Sequence, residues 1–234
     1  MQKTETIIKH LAKTDLFKEL SNTELAACAA AFRKIEFEKG KMLFARGDIG
    51  HSVYLIAEGC VRLAVVSDTG RELSFRLAAT GDLFGEIAAL DGGPRTADAT
   101  ALTPVIAYAL DHRALHQLIR AYAPIGAAMV KFLCRRLRET SGQLEAIALF
   151  SLEVRLARFL LHALPPQQDA AGKRVPLELG FSQSELARLL GASRPKVNAA
   201  LGVLESTGAI RRTLDRLFCD PAMLAQIAQE DDAP

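Results

Sequence analysis

Between residues 35 and 110 the chain never runs far without a turn signal: Lys39-Gly40, Gly47-Asp48, Glu58-Gly59, Asp68-Thr69-Gly70, Gly81-Asp82 and Asp91-Gly92-Gly93-Pro94. The apolar stretches between them, at 52–56, 61–66, 73–77 and 105–109, are too short for helices. Strand-length segments with punctuation this dense predict an all-β barrel, sandwich or roll. Residues 1–33 have another texture and read as short helices. Ser21 caps one of them, with Glu24 as the reciprocal half of a capping box and Leu20 with Leu25 as a hydrophobic staple.

From 113 to 150 the pattern turns helical, and Pro124 sits where a long helix begins. Seam positions then fall at Val130, Leu133, Leu137, Thr140, Leu144 and Ile147, in steps of 3, 4, 3, 4 and 3. That is the a/d spacing of a coiled coil. Such a seam either packs on its own domain or pairs with a second copy. Lys131, Arg135 and Arg138 on the opposite face favour the second copy. Thr140 is polar at a position that a dimer core would fill with a large apolar residue. Residues 165–176 read as a loop, and helical periodicity resumes at Phe181.

Half of the residues are hydrophobic and 24% are charged, a globular composition. Lys and Arg number 29 against 27 Asp and Glu, a net charge of +2, so bulk charge does not mark a nucleic-acid binder. From 181 to 219, however, six basic residues face three acidic ones, +3, and the acidic counterweight lies at 230–232. No apolar run approaches the ~20 residues of a membrane helix. Residues 1–10 are too polar for a signal peptide, and a cytoplasmic protein with no membrane partner is expected. Cys28, Cys60, Cys134 and Cys219 form no C-x-x-C pair. That predicts neither a metal site nor a disulfide framework, and it fits a reducing compartment. His112 and His116 stand one helical turn apart without a third ligand, so no metal is expected. No nucleophile, base and oxyanion-donor set is assembled, which argues against an enzyme.

Residues 183–202, QSELARLLGASRPKVNAALG, carry a sharper pattern. Ser182 caps a first helix with Glu185, and Phe181 and Leu186 form its staple. Gly191 turns the chain, and Ser193 caps a second helix that tolerates Pro195 in its first turn. Two short helices, a Gly-containing turn and the small Ala187 at the crossing predict a helix-turn-helix. The bland alternative is a helical hairpin with a solvated basic face. Residues 210–213 and 217–219 flank Leu214-Asp215-Arg216 as a hairpin, which converts the motif into a winged helix. Outward on the second helix lie Arg194, Lys196, Asn198 and Ala199. Arg suits guanine O6/N7, Asn suits adenine N6/N7, and Lys takes guanine or phosphate. Arg211, Arg212 and Arg216 are placed to neutralise phosphates.

Residues 81–100 read GDLFGEIAALDGGPRTADAT. A short helical turn opens at Phe84-Gly85-Glu86, where free N–H groups can hold an anion. The loop at Asp91-Gly92-Gly93-Pro94 can fold Arg95 and Thr96 back over that turn, giving an arginine fork, amides and a hydroxyl for a phosphate. Glu86 can accept a ribose hydroxyl. The alternative pairs Glu86 with Arg95 as an internal salt bridge.

The run FGEIAALDGGPRTADAT closely resembles the phosphate-binding cassette of cyclic-nucleotide-binding domains, and the glycine punctuation upstream matches the same domain. With the helix-turn-helix behind it, nearly the whole chain resembles the cyclic-AMP receptor protein (catabolite activator) family of transcription regulators. The resemblance implies an α+β fold. A double-stranded β-helix (jelly-roll or β-roll) nucleotide domain would span 1–122, a long dimerisation helix 123–150, and a winged helix-turn-helix DNA-binding domain 151–234. It places Gly85, Ile87, Ala88, Arg95 and Thr96 on the cyclic phosphate and Glu86 on the ribose 2′-OH. Thr140 and Ser141 fall where the family contacts the purine, one of the two from the partner chain, while Leu63, Leu73 and Phe75 line the base. Without ligand, Arg95 would be an uncompensated cation. The ligand so implied is cyclic AMP first and cyclic GMP second, since Thr96 can accept from a guanine amine. The partners implied are a second copy, a near-palindromic double-stranded DNA operator, contacted through Ser182, Ser193 and the basic residues above, and RNA polymerase. Pro195 and Ala199 replace the base-reading Glu and Arg of the best-known relatives, so the operator sequence does not carry over. Two alternatives stay open: a regulator of the same fold answering another effector or a redox signal, and a nucleotide-binding module with weak DNA binding.

Overall fold

A computed structural model describes residues 2–70, 72–165, 174–177, 183–213 and 216–229. The chain divides into two compact units, Met1–Arg138 and Glu139–Pro234. In the first, α1 (Gln2–Leu11) and α2 (Asn22–Ala31) precede the strands. The Ser21 hydroxyl accepts from the Glu24 N–H at 3.4 Å, and the Glu24 carboxylate accepts from the Ser21 N–H at 2.7 Å. This is the expected capping box, and Leu20 and Leu25 are both buried beside it.

The strands follow as β1 (Arg33–Phe37), β2 (Met42–Phe44), β3 (Ser52–Glu58), β4 (Cys60–Val66), β5 (Glu72–Ala79) and β6 (Leu83–Phe84). Then come α3 (Glu86–Asp91), β7 (Asp98–Ala101) and β8 (Val105–Asp111). They form two antiparallel four-stranded sheets, ordered β1-β8-β3-β6 and β2-β7-β4-β5. Between them Ile56, Val61, Leu63, Phe84, Ala99 and Ala107 make one apolar interior, the predicted roll. Leu63 pairs with Arg76, but the next pair is Ala64 with Ser74, so Phe75 is the extra residue of a bulge on β5.

Two helices complete the run of helical periodicity: α4 (His112–Ala121) and α5 (Ala123–Leu149), with Pro124 in the first turn of α5. Ile125, Met129 and Phe132 bury the early part of α5 against a core that includes Leu11, Phe17 and Leu110. Lys131 reaches Glu19 and Arg135 reaches Asp15, each at 2.8 Å. These two cations, on the face opposite the seam, pair with carboxylates of their own domain while staying exposed. Leu133 of the seam packs partly against that core, and the other apolar seam positions are left exposed. Val130, Leu137 and Leu144 are 61%, 68% and 68% exposed, and Ile147 is also exposed. No helix among the described residues is long and apolar enough to cross a membrane.

The second unit holds α6 (Leu152–Ala163), β9 (Val175–Leu177), α7 (Gln183–Leu189), α8 (Arg194–Ser206), β10 (Ile210–Arg212), β11 (Leu217–Cys219) and α9 (Pro221–Gln229). Its core joins Leu156, Leu160, Leu186, Val197, Leu204 and Ile210. The stretch 165–176 is not all loop, because Val175–Leu177 is a strand paired with β11. Val175 and Leu177 are buried while Pro176 points out. The strand lies at the edge of the order β10-β11-β9, where a residue without an N–H does no harm.

Candidate functional site

Arg95 leaves the Gly92-Gly93-Pro94 turn pinned by its own backbone. Its N–H donates to Asp48 O at 2.8 Å and its carbonyl accepts from the Gly47 N–H at 2.9 Å. The side chain turns inward and is 5% exposed. Nη1 donates to Gly85 O at 2.8 Å, Nη2 donates to Ser52 O at 2.7 Å, and the guanidinium carbon lies 4.1 Å from the centre of the Phe44 ring. Arg95 is therefore not the uncompensated cation expected without ligand: carbonyl dipoles and an aromatic face hold it in place. Burial holds its pKa below the ordinary arginine value, opposed by Tyr54, Glu86 and Asp48.

Two glycines make this approach sterically open. Gly85, at φ 75°, caps α3 in the left-handed region, and a Cβ there would lie 2.7 Å from Arg95 Nη1. At Gly50 a Cβ would lie 2.4 Å from the Ala88 Cβ and 2.8 Å from Arg95 Nε. The Arg95 fork thus sits over the start of α3. No side chain caps that end, and the first-turn amides of a helix have no partner within it. Glu86, the first residue of α3, is 8% exposed. Among the described residues no ion pair joins it to Arg95, so the internal salt bridge is not formed. Ala88 is buried, Ile87 is exposed and Thr96 is exposed beside Arg95. Leu63 lies in the interior, Phe75 packs against it, and Leu73 is half-buried opposite Val65.

The α8 helix divides cleanly. Val197, Ala200, Leu201 and Leu204 are buried, and Arg194, Lys196, Asn198 and Ala199 are exposed. Ser193 is the N-cap, but its side chain makes no capping bond. An N-cap oxygen accepts from the second or third residue of the helix, and the second here is Pro195, which has no N–H. The Ser193 hydroxyl is exposed. The cap and staple at Phe181, Ser182 and Glu185, and the hairpin tip at Leu214 and Asp215, lie outside what is described. The wing pairs as expected, with Ile210 opposite Cys219 and Arg212 opposite Leu217. Arg211 and Arg216 are exposed. Arg212 is exposed too, but it is held by side-chain partners: Nε and Nη2 reach Glu205 Oε2 at 2.8 and 2.7 Å, and Nη1 donates to Asn198 Oδ1 at 3.1 Å. The same contacts hold the Glu205 carboxyl below its ordinary value.

Residues 34–122 match the family described as Cyclic nucleotide-binding domain, and residues 154–227 match the Crp-like helix-turn-helix domain. A CRP-like cAMP-activated global transcriptional regulator of Mycobacterium tuberculosis is 32% identical over 86% of this chain and 90% of its own. The chain belongs to the cyclic AMP receptor protein family. The Cyclic AMP receptor protein of Thermus thermophilus is 33% identical over 84% of this chain and 88% of that one. The solved Thermus thermophilus Catabolite Activator Protein superposes with a TM-score of 0.54, at 30% identity, over 92% of this chain and 98% of that one.

Cyclic AMP receptor proteins are transcription regulators rather than enzymes, and the α+β fold here is theirs. Thr140 and Ser141, which the family resemblance places on the purine, are exposed on α5 in the second unit. Two thiols are poor redox sensors, because burial pushes Cys28 and Cys219 up to about 11, leaving little thiolate near neutral pH. His112 Nδ1 lies 3.6 Å from Asp111, and its ring stacks obliquely 5.4 Å from that of His51. Among the described residues no cluster of three or more His, Cys, Asp or Glu side chains could hold a metal ion. One charged cluster, centred on Asp82 in the turn before β6, is not legible in the sequence. Arg76 and Arg136 both reach Asp82 Oδ1, at 3.1 and 3.3 Å.

Proposed function

We propose that the chain is a homodimeric, cytoplasmic transcription regulator whose operator binding is gated by a 3′,5′-cyclic purine nucleotide. The observation that carries the ligand reading is the Arg95 fork, buried over the uncapped start of α3 beside the buried Glu86. A singly charged phosphodiester fits that fork. It would take Arg95 donors now spent on carbonyls, receive the amides at Gly85, Ile87 and Ala88, and meet the Thr96 hydroxyl. Glu86 accepts the ribose 2′-OH. Leu63, Leu73 and Phe75 line the base, and Thr140 and Ser141 contact it, one of them from the partner copy. Cyclic AMP carries over from the relatives' names, and cyclic GMP is the second member of the class.

Nucleotide occupancy then acts on the seam around Thr140 and sets the two recognition helices one DNA turn, ~34 Å, apart on a near-palindromic operator. A ligand shifts such an equilibrium only through its differential affinity for the two states, and a 1:99 to 99:1 switch needs about 5.5 kcal/mol. Two nucleotides per dimer share that load. RNA polymerase is the partner on the promoter. Titrating cyclic AMP and cyclic GMP in parallel, each with and without operator DNA, tests the whole reading. Failure of every 3′,5′-cyclic purine nucleotide to bind would overturn it.

Two variants test the transmission and the readout. Thr140→Ala is expected to weaken ligand-induced DNA binding more than ligand binding itself. Equal losses in gel shifts and in calorimetric titrations would remove the seam from the mechanism. Arg194→Ala is expected to cost ~1–3 kcal/mol of operator binding and to relax base preference at one position of each half-site. A uniform loss across operator variants would reassign Arg194 to phosphate contact.

A further inference from the structure

The bulge at Phe75 has a consequence for the nucleotide pocket. Alternation along a regular strand sends successive side chains to opposite faces, and an extra residue cancels that alternation at one point. Phe75 packs against the interior of the roll. Its neighbour Arg76 stands directly opposite the buried Leu63, so it faces the same interior. The Arg76 side chain is only 15% exposed. A charge in that position needs acceptors, and it is short of them. Asp82 Oδ1 lies 3.1 Å from Arg76 Nη2 and 3.3 Å from Arg136 Nη2. The second Asp82 oxygen already accepts from the Ala79 N–H at 2.9 Å. The buried Nη2 of Arg76 completes no hydrogen bond. Burial and the neighbouring Arg136 hold the Arg76 pKa below its ordinary value, against the pull of Asp82 and Glu86.

Leu63 lines the base in the nucleotide reading, and Arg76, paired directly opposite it, shares that inner face of the roll. With the phosphate on Arg95, Arg76 is left to the base. A guanidinium only donates hydrogen bonds. Guanine offers it two acceptors, O6 and N7, whereas adenine offers N7 beside the N6 amino group, itself a donor.

We infer that Arg76 reads the O6/N7 edge of the purine and sets this chain to take guanine, as cyclic GMP, in preference to adenine. The inference rests on the cyclic-nucleotide reading and refines the order of its two candidates. Isothermal titration of the full-length protein with cyclic AMP, cyclic GMP and cyclic IMP tests it. Cyclic IMP keeps O6 and N7 but lacks the 2-amino group that could reach Thr96. The wild-type protein is expected to bind cyclic GMP and cyclic IMP each about tenfold more tightly than cyclic AMP. Arg76→Met is expected to erase that preference by weakening the two 6-oxo nucleotides while leaving cyclic AMP within about threefold. A wild-type protein that binds cyclic AMP as tightly as cyclic IMP overturns the role of Arg76, and the nucleotide reading stands. So does an Arg76→Met variant that weakens all three nucleotides equally. A wild-type protein that binds none of them overturns both.

Discussion

Arg95→Ala is expected to lower cyclic-nucleotide affinity by roughly 10²–10³-fold, the loss of two charge-assisted hydrogen bonds. It is also expected to destabilise the first unit. The two carbonyls that now receive Arg95, those of Ser52 and Gly85, would lose their donor. Burying an unsatisfied acceptor costs ~1–3 kcal/mol. Arg95→Lys separates the two effects. A lysine keeps the charge and can serve one carbonyl, but it lacks the planar fork, so stability is expected to recover further than affinity. Calorimetry with denaturant unfolding on both variants decides the matter. Unchanged affinity in Arg95→Ala would remove Arg95 from the phosphate site. Equal recovery of affinity and stability in Arg95→Lys would reduce Arg95 to a point charge.

How legible the molecule is in its sequence depends on how local each feature is. The Ser21–Glu24 capping box needs only four neighbouring residues, and it forms as read. The seam on α5 is likewise a spacing along one helix. The Arg95 loop is legible because its turn residues, arginine and helix start lie within a dozen positions, although Gly47, Asp48, Ser52 and Phe44, which hold the arginine, are far off in the chain. Features that depend on distant partners were not legible. β9 exists because β11, far along the chain, supplies its hydrogen bonds. Arg76 points inward because a bulge breaks the period of two, and strict alternation would have put Phe75 and Arg76 on opposite faces.

The DNA-reading face shows the same limit. Asn198 reads from sequence as an adenine ligand, which requires its oxygen to accept and its nitrogen to donate. In the fold that oxygen already accepts from Arg212, a contact made across the wing. Asn198 then presents a pair of donors, which suits base or phosphate acceptors better than an adenine edge. Arg212, assigned to phosphates by its position in a basic hairpin, also braces the recognition helix through Glu205.

The second large effect concerns the seam. Leu137→Lys combined with Leu144→Lys is expected to convert a dimer into a folded monomer in sedimentation experiments and to cut operator affinity by about 10²–10⁴-fold, the advantage of linking two half-site contacts in one particle. The fold should survive, because neither side chain is packed on its own chain: both are 68% exposed. Monomeric soluble proteins seldom leave a row of large aliphatic residues in water, and here Val130, Leu137, Leu144 and Ile147 recur at seam spacing along a helix whose other flank is already occupied. The two faces of α5 thus have different tasks. Ile125, Met129 and Phe132, with the Lys131 and Arg135 bridges, fix the helix to the roll that holds the ligand site. On the proposed dimer reading the exposed seam takes a second copy, and Thr140 interrupts it where a purely structural dimer would place leucine. A seam weakened at that point makes dimer geometry sensitive to whatever Thr140 meets, which a uniformly apolar seam would not be. Persistence of the dimer in the double-lysine variant at micromolar concentration would place the dimer contact elsewhere and detach Thr140 from the switch.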